Sequence, residues 1–137
     1  MIDTLLRARC LAVALLAFVV GCGGGASSSG GATGPTEEAT LQDLSALLKT
    51  LGEQKKRPPT KLAELDSYEP VFMAAYKGVE SKSVVYVWGS AITPGGTAVI
   101  AYDAKVEASG GYVLLEDGNV KKMTAAEFAA APKPAKK

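Results

Sequence analysis

The sequence predicts a small α+β domain in which an amphipathic helix packs on an antiparallel β-sheet of about four strands and a short C-terminal helix closes the chain. Three observations predict this class: a leucine stripe at helical spacing over residues 41–51, two pairs of β-rich runs after residue 82, and a helix-capping signature at Thr124. Without the N-terminal segments about 95 residues remain, which is enough for one domain with one modest core.

The first predicted element is the amphipathic helix, which starts at Thr36 or Thr40 and ends at Gly52. Either threonine can cap its N-terminus, and a glycine commonly follows the last turn of a helix. The apolar residues of one face are Leu41, Leu44, Leu48 and Leu51, with Leu47 beside them. Such a stripe is typical of a core face, and a groove for a partner helix is the alternative. A polar turn (residues 53–59) and a helical turn (residues 60–65) follow.

The first pair of β-rich runs covers residues 83–89 and 97–103. They predict an antiparallel hairpin whose long loop contains Pro94-Gly95-Gly96. Both runs are apolar on both faces, which suits central strands that are covered by helix on at least one side. We therefore expect the leucine face of the helix to pack on this sheet.

The second pair of runs, residues 112–116 and 119–123, flanks Asp117-Gly118. Asp-Gly between two apolar runs is a strong hairpin signal, and it predicts a type I′ turn with positive φ at both central residues. Thr124 and Glu127 then form a capping box for a short helix over residues 125–131. The small domain is thus predicted over residues 37–131, and residues 132–137 are predicted to be a basic, disordered tail.

The first 21 residues predict a signal peptide that is cleaved from the mature protein. Arg7 and Arg9 precede eleven uncharged, mostly apolar residues, 10–20. At helical rise these residues reach about 17 Å, roughly half of a ~30 Å hydrocarbon layer, which favours a signal peptide over a permanent transmembrane helix.

The apolar run ends in Val19-Val20-Gly21-Cys22. This stretch resembles the lipobox of bacterial lipoproteins, with an aliphatic residue at minus three, a small residue at minus one and cysteine at plus one. The resemblance implies signal cleavage between Gly21 and Cys22 and a lipid on the Cys22 thiol. An ordinary secretory leader that is cut within residues 21–26 is the alternative.

Residues 22–36 are predicted to be the lipidated cysteine and a flexible Gly/Ser-rich tether. Fourteen such residues have a root-mean-square reach of about 20 Å, so the domain is expected to stay near the membrane to which the N-terminal lipid holds it. In the lipoprotein family an Asp after the acylated cysteine favours the inner membrane. The residue after Cys22 is Gly23, and the lack of an Asp at this position slightly favours the outer membrane. The expected localisation is the bacterial cell envelope, with the domain outside the cytoplasm.

The order of elements, with Pro58-Pro59 in the polar turn, resembles the soluble domains of type IV pilin-like proteins and pseudopilins. Residues 109–120, SGGYVLLEDGNV, resemble the C-terminal motif of a bacterial pilin-like family named for a His, nine residues and then Asp-Gly. Glu107 stands where that family has its histidine, so no role of the His is carried over. Pilins also retain an apolar N-terminal helix, and here a lipobox takes its place, which argues against filament assembly by the usual route.

Composition leaves few routes to catalysis. The chain has no histidine, which removes the commonest general base and the commonest metal ligand. Cys10 lies in the leader and Cys22 is the predicted lipid site, so no thiol remains for a disulfide. Without the leader's Asp3, Arg7 and Arg9, the 15 basic and 14 acidic residues become 13 of each, which gives no electrostatic reason to expect a nucleic acid partner.

Several sets of side chains could still form a site. The carboxylates that could pair are Asp66, Glu69, Glu80, Asp103, Glu107, Glu116 and Asp117. The residues that could form an aromatic ligand surface are Tyr68, Tyr76, Tyr86, Trp88, Tyr102 and Tyr112. Ser81-Lys82-Ser83, the glycine pairs at 95–96 and 110–111, and a loop at 116–119 that resembles a calcium loop all lack the surroundings that their chemistry needs. We expect no catalytic residue, no metal site and no cofactor.

We therefore expect a non-catalytic envelope lipoprotein, a membrane-tethered binding or assembly module whose partner is another envelope protein or the cell wall. One alternative is a lipid-anchored, pseudopilin-like subunit of a secretion or surface-fibre system, which an exposed leucine face over residues 41–51 would favour. The other is a carboxylate-dependent hydrolase, which requires two carboxylates within about 5 to 10 Å of each other in a cleft.

Overall fold

The sheet at the centre of the fold has four antiparallel strands in the order β1-β2-β3-β4. The computed structural model describes residues 35–134. The strands are Val84–Tyr86 (β1), Val99–Asp103 (β2), Gly111–Leu115 (β3) and Val120–Met123 (β4), and the α-helices are Glu37–Glu53 (α1), Met73–Glu80 (α2), Val106–Ser109 (α3) and Ala125–Ala130 (α4). Two single 3₁₀ turns, Leu62–Glu64 and Asp66–Tyr68, lie between α1 and α2. The predicted α+β class, the four-stranded antiparallel sheet and the short C-terminal helix are confirmed.

Helix α1 begins where one of the two predicted caps lies, because the Thr36 hydroxyl accepts a hydrogen bond from the Ala39 N–H at 3.2 Å. Its five leucines are at most 3 % exposed and form the centre of the core. The predicted end at Gly52 is wrong. The helix runs through Glu53 and closes with Lys55 in the left-handed region at φ 54°.

The end of α1 has the hydrogen bonds of a Schellman motif, from Lys56 N–H to Leu51 C=O and from Lys55 N–H to Gly52 C=O, at 2.9 and 3.0 Å. Glycine is the usual residue at the left-handed position, since it has no Cβ to clash. Here Lys55 occupies that position and Gly52 lies three residues before it. The usual preference for glycine at the left-handed position therefore predicts a helix end that is too early in the sequence.

Helices cover both faces of the sheet. On one face α1 and α2 pack over Val84, Tyr86, Ile100, Ala101 and Leu114. On the other face α3 and α4 place Val106 and Phe128 against Val99, Val113 and Met123. This two-sided cover accounts for the apolar faces of β2, which is a central strand as expected. The expectation that the run 83–89 also forms a central strand is wrong, because β1 lies at the edge of the sheet.

Helix α2 is an element that the sequence analysis did not predict. It runs antiparallel to α1, since Ala75 lies beside Asp43 and Gly78 lies beside Thr40. The Asp43 carboxylate accepts a hydrogen bond from the Ala75 N–H at 2.9 Å, so α1 supplies the acceptor for the first turn of α2, which has no side-chain cap of its own. A Cβ on Gly78 would lie 2.2 Å from Thr40 Cγ2, which shows how closely the two helices approach.

The first predicted hairpin is confirmed as an antiparallel pair, with Val84 opposite Asp103, but its strands are shorter than the runs 83–89 and 97–103. The last backbone bond to β2 joins Val87 N–H to Ile100 C=O at 2.9 Å. Beyond it the chain bends away from the sheet, and Gly89 N–H donates to Pro59 C=O at 2.9 Å. β-propensity alone could not show that the chain leaves the sheet after Val87 and that Gly89 bonds to the proline turn.

The Asp117-Gly118 hairpin is confirmed, but the predicted type I′ turn is wrong. Gly118 has φ 88°, whereas the non-glycine residues with positive φ in residues 35–134 lie elsewhere. Leu115 N–H bonds to Asn119 C=O and Gly118 N–H bonds to Leu115 C=O, both at 2.9 Å, as in a three-residue loop with a type I turn and a left-handed glycine. Asp117 Oδ1 accepts from Asn119 N–H at 2.9 Å, and this bond lowers the pKa of the Asp117 carboxyl.

The capping box before α4 is confirmed. The Thr124 hydroxyl accepts from Glu127 N–H at 3.2 Å, and the Glu127 carboxylate accepts from Thr124 N–H at 2.7 Å. The helix ends at Ala130, and the next segment still belongs to the fold, because Pro132 C=O accepts from Val99 N–H at 2.8 Å. Pro132, the first residue of the predicted tail, thus bonds to the start of β2.

No helix within residues 35–134 has both the length and the apolar character that crossing a bilayer requires. The predicted signal peptide, the cleavage site between Gly21 and Cys22, the lipidation of Cys22 and most of the tether lie outside the described residues, as do residues 135–137. These features stay predictions.

Candidate functional site

Some of the candidate carboxylates come together beside α2. Lys77 Nζ lies 3.3 Å from Glu69 and 3.1 Å from Glu80, and their hydrogen bonds raise the pKa of Lys77. Desolvation and then the charge of Asp66 raise the pKa of Tyr76 next to them. The lysine ammonium lies between the two glutamates and forms an ion pair with each, and all three side chains are well exposed. This arrangement is a surface ion-pair network and offers no acid and base poised across a cleft.

The other candidate carboxylates are spread over the sheet and its loops. Asp103 is buried at the end of β2 and accepts a hydrogen bond from Lys105 N–H at 2.9 Å. Asp117 lies in the β3–β4 turn, Glu107 is exposed on α3, and Glu116 lies beside Trp88. Residues 35–134 contain no group of three or more Asp, Glu, Cys or His side chains that could hold a metal ion.

Ser81-Lys82-Ser83 ends α2. The Ser81 and Ser83 hydroxyls lie 3.2 Å apart, and both donate to Gly78 C=O, at 3.2 and 3.3 Å. Lys82 between them has φ 61°, a left-handed residue that turns the chain towards β1. The two hydroxyls therefore meet, and their hydrogen bonds satisfy a carbonyl at the end of α2.

The candidate aromatic residues do not form one surface. Tyr86 is buried in the first core face, Tyr102 packs on Phe128 with ring centroids 4.8 Å apart, and the remaining tyrosines are half-buried. Trp88 differs from them, since 41 % of it is exposed.

Trp88 borders a partly enclosed cavity of about 220 Å³, which we call the Trp88 cavity. Its lining consists of Trp88, Gly89, Ser90, Ala91, Thr93, Glu116 and Pro134. The indole packs edge-on against Tyr86, with ring centroids 5.2 Å apart and planes at 80°. Burial raises the pKa of Tyr86 well above its usual range, and its hydroxyl donates to the Ser90 carbonyl. A buried, hydrogen-bonded tyrosine thus supports a partly exposed tryptophan at the rim of the cavity.

A second exposed feature lies just before and at the start of α2. Val71 is 74 % exposed and Met73 is 60 % exposed, and Pro70 next to them is also exposed. Phe72 between them is partly buried against the core. We call Pro70, Val71 and Met73 the α2 patch. The patch was not predicted from the sequence, because no element was assigned to residues 66–82, although Ala75 and Val79 have helical spacing.

Comparison of the chain with protein-family models, with curated proteins and with solved structures finds no match in any of the three. Function is therefore inferred from the surfaces of the domain itself.

Proposed function

We propose that the protein is a non-catalytic lipoprotein of the bacterial cell envelope, a membrane-tethered module that binds another envelope protein through the α2 patch. The α2 patch is the main support for this proposal, because it contains two of the three large apolar side chains that are exposed within residues 35–134. An exposed apolar cluster is a typical feature of a protein interface. Complete burial of a valine or a methionine side chain contributes about 1.5 to 3 kcal/mol, so even this small patch could anchor a partner.

The surroundings of the patch suit an interface of this kind. Glu69 and Lys77 form an ion pair at 3.3 Å beside it, and charged groups at the rim of an apolar contact are common in protein interfaces. Phe72 anchors the segment in the core, and Asp43 holds the first turn of α2. A surface that is already rigid loses less conformational entropy when it binds.

The two alternative functions find less support. The α1 leucines are buried against the sheet and α2, so they offer no free face for helix packing in a pseudopilin-like assembly. Glu69 and Glu80 both form ion pairs with the exposed Lys77 ammonium, which is the arrangement of a surface ion-pair network and does not support a pair of catalytic carboxylates in a cleft.

The membrane anchor has a direct test. We expect cells that are fed labelled palmitate to label the wild-type protein and not a Cys22→Ser variant, because the cysteine thiol is the proposed attachment point. The label is measured on the protein after immunoprecipitation, and a Cys10→Ser variant is the matched control that should keep it. Equal labelling of wild type and Cys22→Ser would refute the lipid anchor.

The α2 patch is tested by site-specific photo-crosslinking in the native envelope. A photoreactive residue at Val71 is expected to capture one recurrent envelope protein, and the same residue at Glu53, an exposed position at the end of α1, is expected to miss it. Because both side chains are exposed, Val71→Ser with Met73→Ser should change the free energy of unfolding by only about 0.5 kcal/mol. The same double change should markedly reduce capture of the partner by the affinity-tagged protein.

Two results would contradict this binding mode. One is a set of captured proteins that does not depend on the position of the photoreactive residue. The other is recovery of cell-wall fragments alone, which would indicate a wall-binding function.

A further inference from the structure

We propose that the Trp88 cavity is a second binding site, separate from the α2 patch, and that it takes a primary ammonium group such as that of a lysine side chain. Three features of the cavity support an ammonium ligand: its aromatic wall, its single carboxylate and its size.

The aromatic wall is Trp88. The face of an indole carries negative electrostatic potential and attracts cations more strongly than the faces of tyrosine or phenylalanine. Trp88 remains 41 % exposed although its edge-on contact with Tyr86 fixes its position. A ring that is both accessible and immobile can receive a cation without first being ordered.

The carboxylate is Glu116, the one charged side chain in the cavity lining. No cationic side chain within residues 35–134 forms an ion pair with it. The side chain is partly buried over Gly96, where a Cβ would lie 2.7 Å from Glu116 Oε2. The cavity therefore combines a carboxylate with an aromatic ring, the two groups that stabilise an ammonium ion.

The backbone holds these groups in place. Glu116 C=O accepts from Thr93 N–H at 2.7 Å, and Glu116 N–H donates to Ala98 C=O at 2.8 Å, so the strand end clamps the loop that follows Trp88. Gly89 N–H bonds to Pro59 C=O and ties the other side of the loop to the proline turn. The geometry of the cavity depends on main-chain bonds that survive substitution of the side chains.

Size and hydrogen bonding favour a primary ammonium group. A cavity of about 220 Å³ is smaller than the usual site for a drug-sized ligand, roughly 300 to 1,000 Å³, and suits one small head group. A primary ammonium has three N–H donors, and the Glu116 carboxylate and the Thr93 hydroxyl in the lining can both accept from it. A quaternary ammonium has no N–H and would lose these bonds.

The experiment uses the lipidated mature protein in detergent and follows the fluorescence of Trp88, which is the only tryptophan in the chain. The probes are Nα-acetyl-lysine methylamide, the same compound acetylated on its side-chain nitrogen, and tetramethylammonium. We expect saturable binding of the lysine probe with a dissociation constant of roughly 1 mM, and at least about tenfold weaker binding of the neutral probe. Tetramethylammonium should bind more weakly than the lysine probe, and added salt should weaken the binding.

Variants separate this site from the proposed function. Glu116→Gln keeps the shape and the backbone bonds and is expected to weaken binding of the lysine probe about fivefold, whereas Glu107→Gln, at an exposed glutamate on α3, should leave it unchanged. Val71→Ser with Met73→Ser should also leave it unchanged, so loss of the envelope partner and loss of the ammonium site can be told apart. Equal affinity for the charged and the neutral lysine probe, no saturable response, or an unaffected Glu116→Gln would each overturn the assignment.

Discussion

Replacing Leu44 with alanine is expected to lower the free energy of unfolding by about 3 kcal/mol. Leu44 is completely buried in the core face that α1 shares with the sheet and α2. The loss has two parts, the transfer of a large apolar side chain and the cavity left where the neighbours cannot collapse. For a domain of this size such a loss is a large fraction of a total stability of about 5 to 15 kcal/mol.

Urea unfolding monitored by circular dichroism measures the effect of Leu44→Ala. The midpoint should fall while the slope stays near the wild-type value, because the surface exposed on unfolding changes little. Gln42→Ala, on the exposed side of the same helix, is the matched control and should change stability by no more than about 0.5 kcal/mol. If the two variants were equally stable, the leucine face of α1 would not be the core of the fold.

Replacing Gly78 with alanine is expected to destabilise the domain by about 1 to 2 kcal/mol, although alanine is the better helix former. The added methyl group would lie 2.2 Å from Thr40 Cγ2 in the contact between α1 and α2. Thr40 is only 2 % exposed, so its methyl group has little room to move aside. The clash therefore outweighs the gain of about 1 kcal/mol in helix propensity.

A second substitution reverses the sign of this effect. Thr40→Ser removes Cγ2 and leaves Thr40 Cβ and Oγ1 at ordinary contact distances of 3.4 and 3.5 Å from the new methyl group. In that background Gly78→Ala should stabilise the domain by up to about 1 kcal/mol. Thermal or urea unfolding of the four proteins of this double-mutant cycle measures the coupling. Additive effects of the two changes would contradict the close contact between the helices.

The sequence predicted most reliably those features that depend on residues close to each other in the chain. The capping box of Thr124 and Glu127 and the cap of α1 at Thr36 satisfy backbone groups within the same turn. The Asp117-Gly118 hairpin was predicted for the same reason, but the predicted turn type was wrong, and Ser45 of α1 also binds this turn. The Ser45 hydroxyl donates to Gly118 C=O at 2.7 Å across 73 residues of sequence, a contact that the pattern around Asp117 does not contain.

The candidate sites were predicted only in part. Trp88 and Glu116 were both candidates, one as an aromatic residue and the other as a carboxylate, but no spacing in the sequence connects them. The chain brings them together where the β3 end bonds to Thr93 and Ala98. The α2 patch was not found because residues 66–82 were not assigned to a helix. Gly78 weakens the helical pattern there, and the close approach of Thr40 is the reason for a glycine at this position.

The sequence by itself determined the helix with the leucine face, the antiparallel β-runs and the capped C-terminal helix, because periodicity and capping act over a few residues. Only the tertiary structure decided that α2 receives its cap from Asp43, that Lys55 ends α1, and that the chain leaves the sheet after Val87. Each of these depends on a contact between residues distant in sequence or on a backbone conformation that the local residues do not favour. Such features arise when the free energy of the packed domain outweighs local preference.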